Sequence, residues 1–177
     1  ILSPLLWVIE MLMSLRGNVF LYQGEELGLR QAELDFADLR DPAAFASWPL
    51  TQGRDGARTP MPWDSDAPHA GFSTATPWLP IPDQHRPCAV SVQIGRADSV
   101  LACARELIEL RRSSPPLRTG SFRPLALPDP LLGFDRNEGR AQVRCLFNLS
   151  SGALRSDGFV SGKCLFSCGE VNRSAGV

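Results

Sequence analysis

The segment that constrains the fold most is LLWVIEMLMSLRGNVFLYQGEE, residues 5–26. Its first part carries apolar residues at helical spacing around most of the circumference, which is typical of a deeply buried helix. Gly17 suits the C-terminal cap of that helix. Val19–Tyr22 then form a short apolar run without alternation, which is typical of a strand buried on both faces of a parallel sheet. Because Glu25 and Glu26 follow this run, the segment predicts an α/β unit with polar residues at the tip of its strand.

The rest of the chain divides into a long loop, a helix and a β-rich end. Residues 30–96 have mostly loop character, and a connection of this length in a compact domain tends to be functional. Asp98 or Ser99 is the candidate N-cap of a helix that continues to residue 112. From about residue 117, short apolar segments separated by turn residues predict the antiparallel strands of a small β domain. These segments are SFRPLAL, LLGFDR, AQVRCLFNLS and GKCLFS.

Composition and charge exclude several classes of protein. Hydrophobic residues make up 44% of the 177 residues, which is enough to build a core and excludes a disordered tail. The net charge is −1, whereas a nucleic-acid-binding protein needs a basic face. The chain has no polybasic segment for acidic membranes, and residues 1–17 are too short and too interrupted to span a bilayer. We therefore predict neither a nucleic-acid partner nor membrane association.

The cysteines and histidines show no metal-binding pattern. Five cysteines are present, an odd number, and their spacings match no zinc motif. We expect them to be small buried residues in a reducing compartment, so the predicted location is cytoplasmic. Only Cys164 and Cys168 are close enough in sequence to suggest a disulfide. His69 and His85 are isolated in loops and are predicted to be structural or solvated. No metal site and no cofactor are predicted.

The least ordinary stretch of the long loop is TQGRDGARTPMPWDSDAPHAGF, residues 51–72. It places Arg54 and Arg58 four positions apart on a glycine-containing loop, and Pro60 and Pro62 follow. No core strand and no amphipathic helix has this pattern. Proline restricts the main chain, so the loop is expected to hold its two cations in a fixed arrangement.

The order of these motifs resembles one family. LRGNVFLYQGEELGL, RDGARTPMPW, AGFS, ELIELRRSSPPLRTGSF and FNLS follow one another as in the C-terminal part of the α-amylase superfamily of glycoside hydrolases. Within that superfamily the chain is most similar to the α-glucosidase and oligo-1,6-glucosidase branch. The resemblance covers roughly residues 5–150, and the combination of YQGEELG with RDGARTPMPW is its most specific part.

The resemblance implies an α/β fold, the C-terminal end of a (β/α)₈ TIM barrel followed by a small antiparallel β domain. On this mapping residues 1–16 are the seventh barrel helix, residues 18–22 the eighth strand and residues 98–112 the eighth helix. The long loop then lies at the C-terminal face, where such barrels hold their active sites.

The same mapping implies two domains and a fragment truncated at both ends. Residues 1–114 are expected to be the C-terminal part of the catalytic barrel, with the active-site loop at residues 30–96. Residues 115–177 are expected to form an incomplete antiparallel β domain, domain C of the family. The remainder of the barrel is missing from this chain.

The implied activity is that of a retaining glycosidase acting on small oligosaccharides or disaccharides. In such enzymes an aspartate nucleophile and a glutamate acid lie about 5 Å apart, and a second aspartate helps to distort the sugar. The resemblance places all three before Ile1. No carboxylate of this chain matches those motifs, so we expect no catalytic residue here.

The resemblance also gives roles to the two arginines. Arg58 occupies the position that pairs with an upstream aspartate and grips hydroxyls of the terminal glucose, since a guanidinium is a fixed fork of donors. Arg54 is expected either to contact the second sugar or to brace the loop. Trp63 is expected to pack beneath the loop, and Tyr22 to border the pocket. These expectations make Arg58 and Arg54 the candidate substrate-binding residues.

Glu25 and Glu26 are adjacent and match no acid–nucleophile motif. We therefore expect them to have a bracing role, in which one of them binds either loop main chain or an arginine near the pocket.

Three functions remain open at this stage. The first is hydrolysis of terminal α-linked glucose, with this chain supplying the sugar-pocket loop. The second is a transglycosylating or isomerising relative, such as a trehalose synthase or a sucrose isomerase. The third is a non-catalytic α-glucosidase-like partner of a membrane transporter.

Overall fold

The computed structural model describes residues 6–154 and 162–168. The chain divides into two compact units. The first, which we call the terminal unit, takes Ile1–Phe20 together with Ala104–Val177. The second, the loop unit, takes Leu21–Cys103. No helix in the described ranges has the length and apolarity needed to cross a bilayer.

Five α-helices are present in the described residues. They are α1 Leu6–Ser14, α2 Pro42–Ser47, α3 Val90–Gln93, α4 Val100–Ser113 and α5 Pro115–Arg118. The helix predicted to end at residue 112 is α4, and Ser99 is its N-cap, because the Ser99 hydroxyl accepts from the Ala102 amide at 3.1 Å. Arg111 and Arg112 lie in the last turn of α4, where cations are favoured.

A three-stranded antiparallel sheet follows α5, in the order β1-β2-β3. Its strands are β1 Ser121–Pro124, β2 Leu131–Glu138 and β3 Ala141–Asn148. The first three predicted β segments are therefore confirmed. The fourth, GKCLFS, is wrong, since residues 162–167 form no strand. A strand requires a neighbour for its main-chain donors and acceptors, and these residues pair with none of the three strands.

Residues 18–22 also form no strand, contrary to the prediction. The run is apolar, as a central strand should be, but no strand in the described part of the chain lies beside it. The side chain of Phe20 is consequently 85% exposed.

Two arginines close the C-terminal end of α1 within the terminal unit. Arg111 of α4 and the buried Arg136 of β2 donate to main-chain carbonyls at distances from 2.6 to 2.9 Å. These carbonyls belong to Met13, Ser14, Leu15 and Gly17. The last carbonyls of a helix have no partner within the helix and carry its negative end, so both guanidiniums satisfy them.

A buried carboxylate joins the three strands. Arg123, Asp135 and Arg144 are directly opposite one another across β1, β2 and β3. Asp135 accepts from Arg144 Nε at 2.7 Å and from Arg123 Nη2 at 2.8 Å. The Arg144 guanidinium, helped by Arg123, holds the pKa of Asp135 below its usual range.

Cys164 and Cys168, the pair considered for a disulfide, are not joined to each other. The Cys168 thiol instead donates to Glu10 Oε2 at 2.7 Å. Burial raises the pKa of Glu10.

The loop unit is mostly irregular, as predicted, but it has a core of its own. Besides α2 and α3 it contains 3₁₀ turns at Glu25–Leu27, Phe36–Asp38, Asp55–Ala57, Pro68–Gly71 and Asp83–Cys88. One apolar cluster consists of Ala32, Leu34, Leu39, Ala44 and Leu79, and another is centred on Leu27, Met61 and Leu101. These contacts hold the arginine-bearing stretch against the rest of the unit.

Candidate functional site

The two candidate arginines bracket a single turn. Arg54 is the N-cap of the 3₁₀ turn Asp55–Ala57, and Arg58 is its C-cap. The Arg58 amide closes the turn by donating to the Asp55 carbonyl at 2.9 Å. Gly56 is required inside it, because a Cβ there would lie 2.5 Å from the carbonyl oxygen of Ala32. We call Arg54–Arg58 the arginine turn.

Asp55 anchors the arginine turn from beneath. Its side chain is buried, and Oδ2 accepts from the amides of Arg40 and Asp41 at 2.6 and 2.7 Å. The other oxygen, Oδ1, is buried without a hydrogen-bond partner among the described residues. Asp55 therefore ties the turn to the main chain that precedes α2.

Asp41 anchors the same turn from its N-terminal side. Its Oδ2 accepts from the amide and Nε of Arg54 at 3.0 and 2.9 Å, and its Oδ1 accepts from Arg54 Nη2 at 3.3 Å. Oδ1 also accepts from the Ala43 amide at 3.1 Å, which makes Asp41 the N-cap of α2. The Arg54 side chain, followed by these amides, holds the pKa of Asp41 far below its usual range.

The residues that follow the arginine turn are fixed as well. Thr59 is buried, and its hydroxyl lies 3.4 Å from Nδ1 of His85. His85 Nε2 is 2.8 Å from the carbonyl oxygen of Arg30. A carbonyl only accepts, so Nε2 carries the hydrogen and Nδ1 is left to accept from Thr59. His85 is thus the structural residue that the sequence predicted, and Met61 and Pro62 continue the buried run.

Arg58 projects from this fixed frame into solvent. Its side chain is exposed, although Asp55, Gly56 and Thr59 around it are buried. None of the described residues forms a hydrogen bond or an ion pair with its guanidinium. The turn therefore presents an unneutralised cation whose main chain is anchored on both sides.

Arg54 is placed differently. Its side chain is 65% exposed even though Nε and Nη2 are bonded to Asp41. Its pKa is raised, first by the side-chain hydrogen bond with Asp41 and then by the charge of that carboxylate. Tyr22, which the resemblance places at the border of a pocket, is half exposed.

The carboxylate pair Glu25 and Glu26 serves the main chain, as predicted. Glu25 Oε2 accepts from the Tyr22 amide at 2.9 Å, and Glu26 Oε2 accepts from the Gly24 amide at 2.9 Å. Gly24 has a φ of 98°, which only glycine adopts readily, so both carboxylates stabilise a tight turn.

Two findings differ from the sequence analysis or extend it. The ring of Trp63 is 52% exposed, so it does not pack beneath the loop as predicted. Asp41 was missed altogether. Its local signal is Asp before Pro at a helix start, which marks an N-cap and does not reveal the pairing with Arg54.

No metal centre is formed in the part of the chain that the structure describes. It contains no group of three His, Cys, Asp or Glu side chains placed to share an ion. The chemistry available at the arginine turn is therefore recognition by hydrogen-bond donors, since guanidiniums carry no acid–base function near neutral pH.

Comparison with known proteins extends these observations. The family described as alpha amylase, catalytic domain, matches residues 5–120. The chain is 51% identical over 148 residues to a probable alpha-glucosidase of Rhizobium meliloti (strain 1021), covering 84% of this chain and 27% of that protein. It is 32% identical over 176 residues to an alpha-glucosidase of Pediococcus pentosaceus, covering 86% of this chain and 31% of that protein.

A solved structure is similar as well. The crystal structure of an alpha-glucosyl transfer enzyme, XgtA, superposes with a TM-score of 0.79 at 48% identity, over 83% of this chain and 27% of that one. The chain thus spans between about a quarter and a third of the length of these relatives.

Proposed function

The chain belongs to the α-amylase family of glycoside hydrolases, in its α-glucosidase branch, and from this premise we propose that it is the C-terminal part of a retaining α-glucosidase. The whole enzyme removes terminal α-linked glucose from small oligosaccharides. This chain contributes the sugar-pocket loop, and the catalytic carboxylates come from the part of the protein that precedes it.

The observation that carries the proposal is the exposed guanidinium of Arg58 on an anchored turn. A glucose residue offers several hydroxyls and no charge, and its recognition needs donors held in fixed directions. Arg58 supplies such donors without a carboxylate partner among the described residues. A carboxylate from the preceding part of the protein completes the pair, and the pair holds the terminal glucose.

The same proposal assigns the elements of the fold. In it α1, residues 18–22 and α4 are the seventh helix, the eighth strand and the eighth helix of a (β/α)₈ barrel. Residues 1–114 complete the barrel, and residues 115–177 begin the antiparallel domain. The exposed apolar run at residues 18–22 supports this assignment, because a central barrel strand lies between two neighbours.

A second candidate function is glucosyl transfer, with a sugar or another hydroxyl compound in place of water. Its support is the similarity to the alpha-glucosyl transfer enzyme, at 48% identity and a TM-score of 0.79. Hydrolysis and transfer share the glucosyl-enzyme intermediate and differ only in the acceptor. Cytoplasmic location stays a prediction that rests on the expectation of unpaired cysteines in a reducing compartment.

The decisive experiment uses the full-length protein that contains this chain. We expect it to cleave an aryl α-glucoside, and we expect Arg58→Ala to lower kcat/KM about a hundredfold because a positioned donor is lost. The matched control is Arg96→Ala, since Arg96 is an exposed arginine that pairs with Asp98 outside the turn.

Each outcome of this experiment has one meaning. An unchanged kcat/KM in Arg58→Ala refutes the sugar-binding role of Arg58. A full-length protein that turns over no α-glucoside refutes the enzyme proposal and favours the non-catalytic alternative. Product analysis with a disaccharide substrate separates the two enzymatic functions, because transfer yields longer or isomeric saccharides and hydrolysis yields glucose.

A further inference from the structure

The arginine turn and the start of α2 bring four charged side chains together. Two are guanidiniums, from Arg54 and Arg58, and two are carboxylates, from Asp41 and Asp55. Their formal charges cancel. The neighbouring Arg40 directs its guanidinium to the main-chain carbonyls of Ala37 and Leu39, which lie within and just after the preceding 3₁₀ turn.

Asp41 determines which nitrogen atoms of the Arg54 guanidinium are free to donate to a ligand. The carboxylate takes up Nε and Nη2 at 2.9 and 3.3 Å, whereas Nη1 has no hydrogen-bond partner among the described residues. The side chain of Arg54 is still 65% exposed. Arg54 therefore presents an N–H donor to solvent. The ion pair with Asp41 fixes the direction of this donor and neutralises the charge of the guanidinium.

We propose that Asp41 is a positioning residue that makes the subsite at Arg54 selective for uncharged sugars over phosphorylated ones. The proposal rests on the proposed function, in which Arg58 holds the terminal glucose. It takes the alternative from the sequence analysis in which Arg54 contacts the second sugar.

The physical reason is the difference between a hydroxyl and a phosphate as ligands. A hydroxyl needs one well-directed donor, and the Asp41-bound guanidinium provides it. A phosphate gains most of its binding from unneutralised positive charge and from bidentate contact with a free guanidinium fork. Because Asp41 occupies the Nε–Nη2 edge of the guanidinium and cancels its charge, phosphate binding is disfavoured while the outward donor at Nη1 remains available.

The first test replaces Asp41 by Asn in the full-length protein. We compare kcat/KM for an α-linked glucose disaccharide and for the same disaccharide with a phosphate on its second sugar. The wild type should strongly prefer the neutral disaccharide. In Asp41→Asn the Arg54 fork is released and the four-residue cluster gains one positive charge, so the neutral-to-phosphorylated ratio should fall at least about tenfold.

A second variant tests the same inference if Asp41→Asn does not fold. Arg54→Gln keeps Asp41 bonded to the amides of residues 43 and 54, so the start of α2 remains capped. This variant should lower kcat/KM for both substrates and shift the ratio in the opposite direction, because the cluster loses a positive charge. The double variant Asp41→Asn/Arg54→Gln restores the charge balance and should return the ratio towards the wild-type value.

The control is Asp98→Asn, which makes the same change of charge at an exposed carboxylate paired with Arg96 at 3.1 Å. It should leave the ratio unchanged. Equal losses for both substrates in Asp41→Asn, or a shift in the same direction in both single variants, overturn the inference and leave Asp41 a purely structural residue. A wild type that cleaves neither disaccharide refutes the proposed function itself, and the inference falls with it.

Discussion

Asp41 and Asp55 are two buried carboxylates of the same loop that differ in how many of their oxygens are used. Both oxygens of Asp41 accept two hydrogen bonds each. Asp55 uses Oδ2 for two amides, and its Oδ1 has no partner in the described part of the chain. A side chain at position 41 must therefore supply two acceptor oxygens, whereas a side chain at position 55 must supply only one.

Replacement of Asp55 should therefore depend on the shape of the new side chain. Asp55→Asn keeps an acceptor at the Oδ2 position and places its NH₂ group at the Oδ1 position, which already has no hydrogen-bond partner among the described residues, so we expect a smaller effect than that of Asp55→Ala. Asp55→Ala leaves the amides of Arg40 and Asp41 without a partner, which costs about 1–3 kcal/mol for each. Hydrogen exchange of these two amides in the full-length protein measures the difference. Equal acceleration in both variants would show that charge, not geometry, anchors the turn.

At the scale of elements, the sheet is held by a cross-strand ion-pair ladder. Asp135 is fully buried in the central strand, and its two arginine partners lie in the strands on either side. Opposite charges that face each other across strands stabilise their pairing, and here one carboxylate serves two pairs. The ladder therefore fixes the register of β1, β2 and β3 together.

This ladder predicts a pH dependence of the sheet. The pKa of Asp135 is lowered in the folded chain, chiefly by Arg144, whereas the pKa of an unfolded aspartate is about 3.9. The stability it contributes is therefore fully present above about pH 4 and is lost as the pH falls through the lowered pKa. We expect Asp135→Asn to increase amide exchange in β2 at pH 7, and the difference from the wild type to shrink below about pH 4. A difference that stays constant with pH would mean that packing alone holds the register.

At the scale of the whole molecule, the dominant feature is an apolar run that the described chain does not cover. Phe20 is 85% exposed, and Val19 and Phe20 line an open pocket of about 560 Å³ with Ile108 and Arg111. The main chain of residues 18–22 belongs to no sheet. An uncovered apolar segment that belongs to no sheet is a site for association with other chains.

The 177-residue chain on its own should therefore associate and lack activity. We expect it to elute as soluble aggregates, to bind a hydrophobic dye and to leave an aryl α-glucoside intact. Phe20→Ser should reduce the association, because an aromatic side chain that is 85% exposed is removed from the run. A monomer that melts in one sharp transition and hydrolyses the glucoside contradicts both this expectation and the assignment of catalysis to the preceding part of the protein.

Local chemistry was enough to predict α4 and the three strands of the sheet. The Ser99 cap, the apolar spacing of α4 and the turn residues between the strands act over a few positions, so a linear pattern reveals them. The motifs around residues 18–26 and 54–63 carried the family resemblance for a related reason. Tight turns and rigid loops admit few residue types, and the order of such motifs is specific.

Tertiary structure alone decided which groups meet. Asp41 is thirteen positions from Arg54, and nothing in the pattern of either segment reveals that one arginine of the turn is neutralised while the other stays exposed. Residues 18–22 also depend on tertiary structure. Their composition predicts a strand, but a strand forms only where a neighbouring strand pairs with it, and none does in the described part of the chain. Helices and caps satisfy their main chain locally, whereas strands and ion pairs depend on partners that the fold brings from elsewhere.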